Sequence, residues 1–514
     1  MITLKIDDKE YRVPDGITVM AAVRMQGIDV PSMCYREGKP HFSSCMICMV
    51  KDRKSGKLFP SCSLKVTPGM DVVSNDQEVI ESRRMALELL LSEHVGDCEA
   101  PCTITCPAHM NIPLMNRLLR EGKPGEALDV VRRNIALPAV FGYVCPAPCE
   151  GACHRKTVDS PVSICLLKRY AGEQIAAAEY SQGQLPAQST GKKAAIIGAG
   201  AAGLAAAYYL RLAGHEVVVF DQRTNPGGEL WEEVEKGRLP AGVLEHDLAV
   251  YRELGVVFKQ ETTIDKRAFE KLCADFNAVL VATGNSAENT MSVFAIDTAT
   301  VKKNTYQWGA SHVFVAGSAL KKSRLAIRAH GQGREASQSM NGFLLGEKEH
   351  GIHDRFNSRF GKLREEEIAE YLKDSIKSER NEPEGELAGL SSTEVVSEAA
   401  RCMHCDCRKA DNCELRDLSD AYEVKQKHFW SADRKLIRRR FQHEEIVYEP
   451  NKCIKCGKCV ELSREHGERY GLTFIGRGFD LEVGVPFNEP VSQGLREVGR
   501  EVAEACPTGA LSMK

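Results

Sequence analysis

An excess of charge of one sign is missing from this sequence. Its 514 residues set 68 lysines and arginines against 71 aspartates and glutamates, and a pI near 6.6 leaves no basic footprint for a nucleic-acid partner. A long apolar run is missing as well. The most apolar stretch, AAIIGAGAAGLAAAYYL, is shorter than a bilayer span and is patterned with glycine, so no direct membrane span is expected. The opening MITLKIDDKEYRVPDG carries charge where the apolar core of a signal peptide would lie, which predicts a cytoplasmic protein. There is no internal repeat of fixed period, and only one G-x-G-x-x-G.

Cysteine, by contrast, is abundant. In a reducing compartment twenty cysteines point to metal ligands rather than disulfides. Nineteen fall into tight groups; Cys273, alone in KLCADFNAVLVATG, reads as a small buried hydrophobe. The length predicts three to five domains. ITLKIDDKEYRV offers two short strands around a turn, followed by helical spacing in TVMAAVRMQGI. Residues 78–180 read as helices interrupted by cysteine loops. SQGQLPAQSTGKK reads as a polar linker, and KLREEEIAEYLKDSIKSERNEPEGELAG as a solvated helix plus linker.

Soft thiolates converging from short loops suit iron-sulfur clusters. Cys34, Cys45, Cys48 and Cys62 form the first group, and zinc is the competing ligand for such sets. SEHVGDCEAPCTITCP then brings His94, Cys98, Cys102 and Cys106, and VCPAPCEGAC brings Cys145, Cys149 and Cys153, with Cys165 beyond. RCMHCDCRKADNC supplies Cys402, Cys405, Cys407 and Cys413, which zinc could also bind. CIKCGKCVELS carries Cys453, Cys456 and Cys459, with Ser463 where a fourth cysteine would complete a ferredoxin run. In two-cluster ferredoxins that fourth cysteine serves the other cluster. The second run survives only as Cys506 before Pro507, while Arg496, Gly499 and Val502 replace its first three cysteines. Those three and Ser463 belong to one cluster, so one cubane is lost as a unit and Cys453, Cys456, Cys459 and Cys506 keep the other.

KKAAIIGAGAAGLAAAYYLRLAGHEVVVFDQ places Gly198, Gly200 and Gly203 between a strand and a helix, with Asp221 ending the next strand. This is the dinucleotide fingerprint: glycines admit the pyrophosphate at the helix N-terminus, and the acid meets a ribose hydroxyl.

These motifs resemble two families. The start, the His-x3-Cys element, CIKCGKCV, FIGRGFD and ACPTGAL are similar to the large iron-sulfur subunit of respiratory complex I and to related hydrogenase subunits. CPAHMNIPLMNRLLREGKPGEALDVVRRNIALPAVFGYVCPAPCEGAC resembles the N-terminal domain of the glutamate synthase small subunit and of dihydropyrimidine dehydrogenase. NPGGEL, GRLPAGVLEHDLAVYRELGV, AVLVATG and HVFVAGSALKKSRLAIRAHGQGREAS resemble the FAD-binding parts of that small subunit. The fold implied is multidomain, α+β and α/β: a β-grasp [2Fe-2S] ferredoxin over 1–85, a helical double [4Fe-4S] domain over 86–182, a Rossmann-like FAD domain over 192–345, a helical linker over 346–398, and ferredoxin-like [4Fe-4S] modules over 399–514.

Carried over position by position, His94, Cys98, Cys102 and Cys153 would hold one cluster, and Cys106, Cys145 and Cys149 most of another. The family places a glutamate or glutamine near Lys168 as the fourth ligand, so Cys165 is the expected substitute. Gly198, Gly200, Gly203, Asp221, Gly228, Thr283, Gly284, Gly317 and Ser318 would bind FAD, although the family has aspartate at Ser318. Nineteen cysteines and His94 make five sites, one [2Fe-2S] and four [4Fe-4S].

Between Gly284 and Val313 the relatives insert an NADPH-binding domain, for which this chain has only NSAENTMSVFAIDTATVKKNTYQWGASH. The resemblance therefore implies an electron-transfer subunit without an acid-base catalyst. It would work in a multi-subunit anaerobic oxidoreductase with an FMN-containing NADH-oxidising subunit, a small [2Fe-2S] subunit, and a hydrogenase or formate dehydrogenase subunit. Flavin-based bifurcation with ferredoxin is an extension of that expectation. A self-contained NAD(P)H:ferredoxin flavoenzyme and a cluster scaffold with a vestigial flavin site are the alternatives.

Overall fold

The computed structural model describes residues 1–174, 187–348, 350–385, 387–429 and 434–514. The first half of the polar linker, residues 181–186, lies outside the described residues. The chain forms two compact units. Unit 1 comprises 1–99, 355–373 and 404–514, and unit 2 comprises 100–354 and 374–403.

Unit 1 begins with a five-stranded sheet in the order Lys9–Val13, Ile2–Ile6, Asp71–Val73, Met49–Asp52, Leu58–Pro60. Ile2, Leu4 and Ile6 are buried while Thr3 and Lys5 are exposed, the period-two alternation of a strand with one wet face. Asp7 and Asp8 turn the first hairpin with φ of 46° and 68°, the left-handed pair that a tight hairpin requires and short polar side chains tolerate. The helix Gln77–Glu93 starts at an Asp76 cap that accepts from the Val79 N–H. It ends at His94, whose ψ of 114° breaks the helical path.

Later in unit 1, Ile446–Tyr448 pairs with Leu511–Met513 and Thr473–Ile475 with Glu482–Gly484. Leu462, Leu472, Val498 and Val502 fill the core between them. Val502, at one of the three replaced cysteine positions, is fully buried in this core.

Unit 2 carries a five-stranded parallel sheet in the order Val313–Val315, Ala278–Val281, Lys193–Ile197, Glu216–Phe220, Val257–Lys259. The glycine helix Ala201–Leu212 packs on Ala326–Leu345. The two approach so closely that a Cβ on Gly333 would stand 2.0 Å from the Ala202 carbonyl oxygen. In the shortened 284–312 segment, Met291, Phe294, Ile296 and Val301 join the core of the sheet, and Phe294 stacks on Phe269 with centroids 4.3 Å apart. The segment packs against the sheet of its own domain.

The charged stretch after residue 346 differs from a solvated linker. In unit 1, Glu367 on the helix Glu365–Leu372 is fully buried, ion-paired with Arg434 and accepting from the Ile437 N–H. In unit 2, Glu398 on the helix Ser392–Ala400 pairs with Arg401 at 2.7 Å and accepts from the Ser163 and Asn381 N–H groups at 2.8 Å. These carboxylates answer buried donors, a role that charge density along the sequence does not disclose.

Among the described residues no helix is long and apolar enough to cross a membrane.

Candidate functional site

The four N-terminal thiols converge at the edge of the first sheet. Cys34, Cys45, Cys48 and Cys62 are all buried. Hydrogen bonding with Cys34 and burial raise the Cys45 pKa, whereas the Cys62 thiol donating to Cys48 lowers that of Cys48. Four sulfurs in mutual contact within a dry loop form a donor set that fits a cluster.

Cys98, which the resemblance groups with His94, Cys102 and Cys153, lies within unit 1 beside Cys407 and Cys413. Burial and the Cys407 sulfur push the Cys98 thiol up to about 11, and burial with Cys407 and Cys98 pushes Cys413 up to about 12. The Cys407 N–H donates to the Cys98 carbonyl at 3.1 Å, and the Ser358 N–H to the Cys98 sulfur at 3.4 Å. His94 lies near Lys452, which itself faces Cys407; burial and that cation hold the His94 pKa down, to about 4. Its Nδ1 is buried without a hydrogen-bond partner. A neutral imidazole with an orphaned nitrogen is the state a metal ligand needs.

Chain routing brings the Cys98, Cys407 and Cys413 thiols together. The chain leaves unit 1 after Glu99 and returns for good at His404, so Cys407 and Cys413 reach Cys98 from far along the sequence. Of the other members of the expected Cys402, Cys405, Cys407 and Cys413 quartet, Cys405 lies beside Tyr371.

Cys453, Cys456, Cys459 and Cys506 line one largely apolar hollow. Burial raises the first three thiols, that of Cys453 to about 11, and Cys506 adds to each shift. Gly457, with φ of 78°, carries the chain between Cys456 and Cys459, and any Cβ there would strike the Phe42 ring. Ser463 is fully buried and faces the backbone. Its hydroxyl donates to the Val460 carbonyl at 3.0 Å and accepts from the Leu472 N–H at 2.9 Å.

In unit 2, Cys106, Cys145, Cys149 and Cys165 come together. The Cys165 thiol donates to Cys145, holding Cys145 down at about 6 and itself well up. Burial pushes Cys149 up to about 12, with Cys106 and Cys145 adding to the shift. Cys102 precedes Cys106 by one helical turn, since the Cys106 N–H donates to the Cys102 carbonyl. Cys153 and Cys402 sit on segments joined by a bond from Arg155 Nη1 to the Arg401 carbonyl, 2.8 Å long.

Beside this group lies a cavity of about 630 Å³, within the usual range for a small-molecule site of about 300–1,000 Å³. Gly198, Gly200, Asp221, Gly228, Thr283, Gly284 and Ser318 line it. Gly203 and Gly317 do not. A Cβ on Gly203 would stand 1.9 Å from the Gly198 carbonyl oxygen, and one on Gly317 would stand 2.7 Å from the Ala202 Cβ, so both glycines let the helix approach the strand ends. The Thr283 hydroxyl is buried without a partner, which fits a polar ligand. Asp221 accepts from the Ala199 and Arg223 N–H groups. The sequence reading missed Arg223, Arg238, Lys322 and Arg324, cations on the cavity wall suited to a pyrophosphate. Three lie in segments already matched to relatives, but no spacing rule singles them out. Val144 and Pro146 also line the cavity, which brings it against the residues on either side of Cys145.

Comparison with known proteins accounts for this layout. Residues 1–77 match a 2Fe-2S iron-sulfur cluster binding domain, 86–180 the 4Fe-4S domain II of dihydropyrimidine dehydrogenase, and 196–253 an NAD(P)-binding Rossmann-like domain. Residues 444–512 match the ferredoxin-like domain of NADH-quinone oxidoreductase subunit 3. The chain is a mosaic of these domains. Its relatives include the NADPH-Fe(3+) oxidoreductase subunit beta of Geobacter sulfurreducens, 34% identical over 45% of this chain and 35% of that protein. The NADP(+)-dependent formate dehydrogenase subunit beta of Moorella thermoacetica is 34% identical over 38% of this chain and 31% of its own length. The glutamate synthase [NADPH] small chain of Bacillus subtilis is 36% identical over 35% of this chain and 37% of its own length. The mosaic thus spans about a third of the length of each of these relatives.

Proposed function

We propose that this chain is an iron-sulfur flavoprotein that relays electrons within an NAD(P)-linked oxidoreductase. One observation carries the reading. A single apolar core in unit 1 contains Cys34 and Cys45 of the first group, Cys456 of the C-terminal group, and Cys413, which on this reading shares a cluster with His94, Cys98 and Cys407. Groups that share a dry core are close enough to pass electrons and are shielded from water. Burial, hydrogen bonds and ligand type then set the order of potentials.

In unit 2, the cavity holds FAD on this reading. Its glycines admit the pyrophosphate, Arg223, Arg238 and Arg324 balance its charge, and Val144 and Pro146 bring the ligand to the Cys106, Cys145, Cys149 and Cys165 group. FAD supplies the exchange between two-electron and one-electron steps. Cys102, Cys153 and Cys402 are candidate thiolates for a further cluster in the same unit. Partners of the expected kind are an NADH-oxidising FMN subunit, a small [2Fe-2S] subunit, and a hydrogenase or formate dehydrogenase subunit. The relatives' own subunit names support such an assembly, and bifurcation with ferredoxin remains part of the proposal.

The test is the flavin and iron content of the anaerobically purified chain, then its reduction by NADH with and without co-purifying subunits. About eighteen irons per chain and FAD that reduces only with partners are expected. Reduction of the isolated chain by NADH would instead favour the self-contained flavoenzyme, and a folded, flavin-free chain would favour the scaffold.

A further inference from the structure

The helix Ile164–Glu173 presents two residues to the Cys106, Cys145 and Cys149 loops. Cys165 and Lys168 are three apart, hence on one helical face. The Lys168 ammonium donates to the Cys165 sulfur at 3.6 Å, and the residue is only 4% exposed.

A buried ammonium is costly unless an anion answers it, and Lys452 shows the ordinary solution. Also buried, Lys452 is paired with Glu449 at 2.7 Å. Lys168 forms no such ion pair among the described residues. The nearby carboxylate Glu150 is occupied elsewhere, accepting from the Cys165 N–H at 2.9 Å and from Arg380 at 2.8 Å. What faces Lys168 is sulfur. The Cys165 sulfur, with those of Cys145, Cys149 and Cys106 nearby, stands where Lys452 has its carboxylate.

We propose that Lys168 is the counter-cation of the cluster held by Cys106, Cys145, Cys149 and Cys165, and that its fixed charge raises that cluster's reduction potential above what four buried thiolates alone would give. The inference rests on the cluster assignment made above. Reduction adds one electron, and hence one negative charge, to a group already anionic through its thiolates. A cation a few ångströms away in a dry site therefore stabilises the reduced state more than the oxidised one. The electron arrives from the cavity ligand or, in the test, from dithionite. No proton moves. Lys168 acts through the cluster, so it is a positioning and tuning residue rather than a catalytic one.

The experiment is an EPR-monitored redox titration of the full anaerobic chain with dithionite. Cys165→Ala identifies the signal that belongs to this site. If that variant neither changes a signal nor loses iron, the cluster assignment fails, independently of Lys168. With the signal identified, Lys168→Met and Lys168→Gln are expected to keep wild-type iron and to move that midpoint alone to more negative potential, by at least tenfold in the one-electron equilibrium, about 59 mV. Lys168→Arg is expected to stay near wild type. An unmoved midpoint in both neutral variants overturns the proposal. If both lose this cluster's iron while Lys168→Arg retains it, the charge is needed even for assembly, which supports the counter-cation role. If Lys168→Arg loses the iron as well, the residue is a packing element and the proposal fails.

Discussion

The Cys407 N–H donates to the Cys98 carbonyl at 3.1 Å, although the sequence of all of unit 2 lies between them. That bond fixes which thiols share a site. Cys98→Ser and Cys407→Ser should therefore abolish or alter the same EPR signal, while Cys102→Ser alters a different one. Low-temperature EPR spectra of the three reduced variants decide this. Identical changes in Cys98→Ser and Cys102→Ser would restore the grouping expected from sequence.

Ser463 should behave as a structural hydroxyl rather than a ligand remnant. Ser463→Ala leaves the buried Leu472 N–H without its acceptor, which costs about 1–3 kcal/mol, yet should leave the iron content unchanged. Ser463→Cys should add no iron, because Arg496, Gly499 and Val502 stand where the other three thiolates of a second cluster would be needed. Thermal melts and iron analysis of both variants check the pair of statements.

Gly203→Ala and Gly333→Ala should each loosen the glycine helix. Their Cβ atoms would stand 1.9 and 2.0 Å from backbone oxygens, and overpacking of this kind costs about 1–3 kcal/mol. Bound flavin per chain and the melting temperature should fall in both. Gly333 is the more informative, since it lies outside the fingerprint.

His330 should make unit 2 acid-sensitive. Its Nε2 accepts from the Ala136 N–H at 3.0 Å, so the ring must stay neutral, and burial holds its pKa down at about 3, against 6.5 for a free histidine. The folded value is depressed. This contribution is therefore fully present above pH 6.5 and is lost as pH falls toward about 3, on the order of 5 kcal/mol at about 1.4 kcal/mol per pH unit. His330→Gln, whose amide oxygen can still accept, should flatten the dependence of stability on pH across that window. Urea melts at several pH values would show it, and parallel slopes for the two proteins would contradict it.

Legibility of the sites followed the distance along the chain over which each is built. The Cys34, Cys45, Cys48 and Cys62 loop, the Cys453, Cys456 and Cys459 run and the Gly198, Gly200 and Gly203 turn are local, and their spacing alone shows that these residues can come together. Cys165 was likewise within reach, because a helix brings residues near Lys168 onto one face. The neighbours of Cys98 were not, since Cys407 and Cys413 arrive from a return of the chain to unit 1 that no periodicity marks. Glu367 read as solvated charge for the same reason. Its cationic partner is plain in the sequence, but its burial is not.

The sequence by itself determined the chemistry: twenty cysteines of which nineteen are clustered, one nucleotide fingerprint, and strands and helices whose burial alternates with the local period. Only the tertiary structure decided how that chemistry is divided. It placed Cys98 with Cys407 and Cys413, turned Ser463 to the backbone and set Lys168 against sulfur. Local spacing fixes which atoms a loop can present, whereas the loop it meets depends on long-range packing, whose free energy is shared among many residues and is written in no single motif.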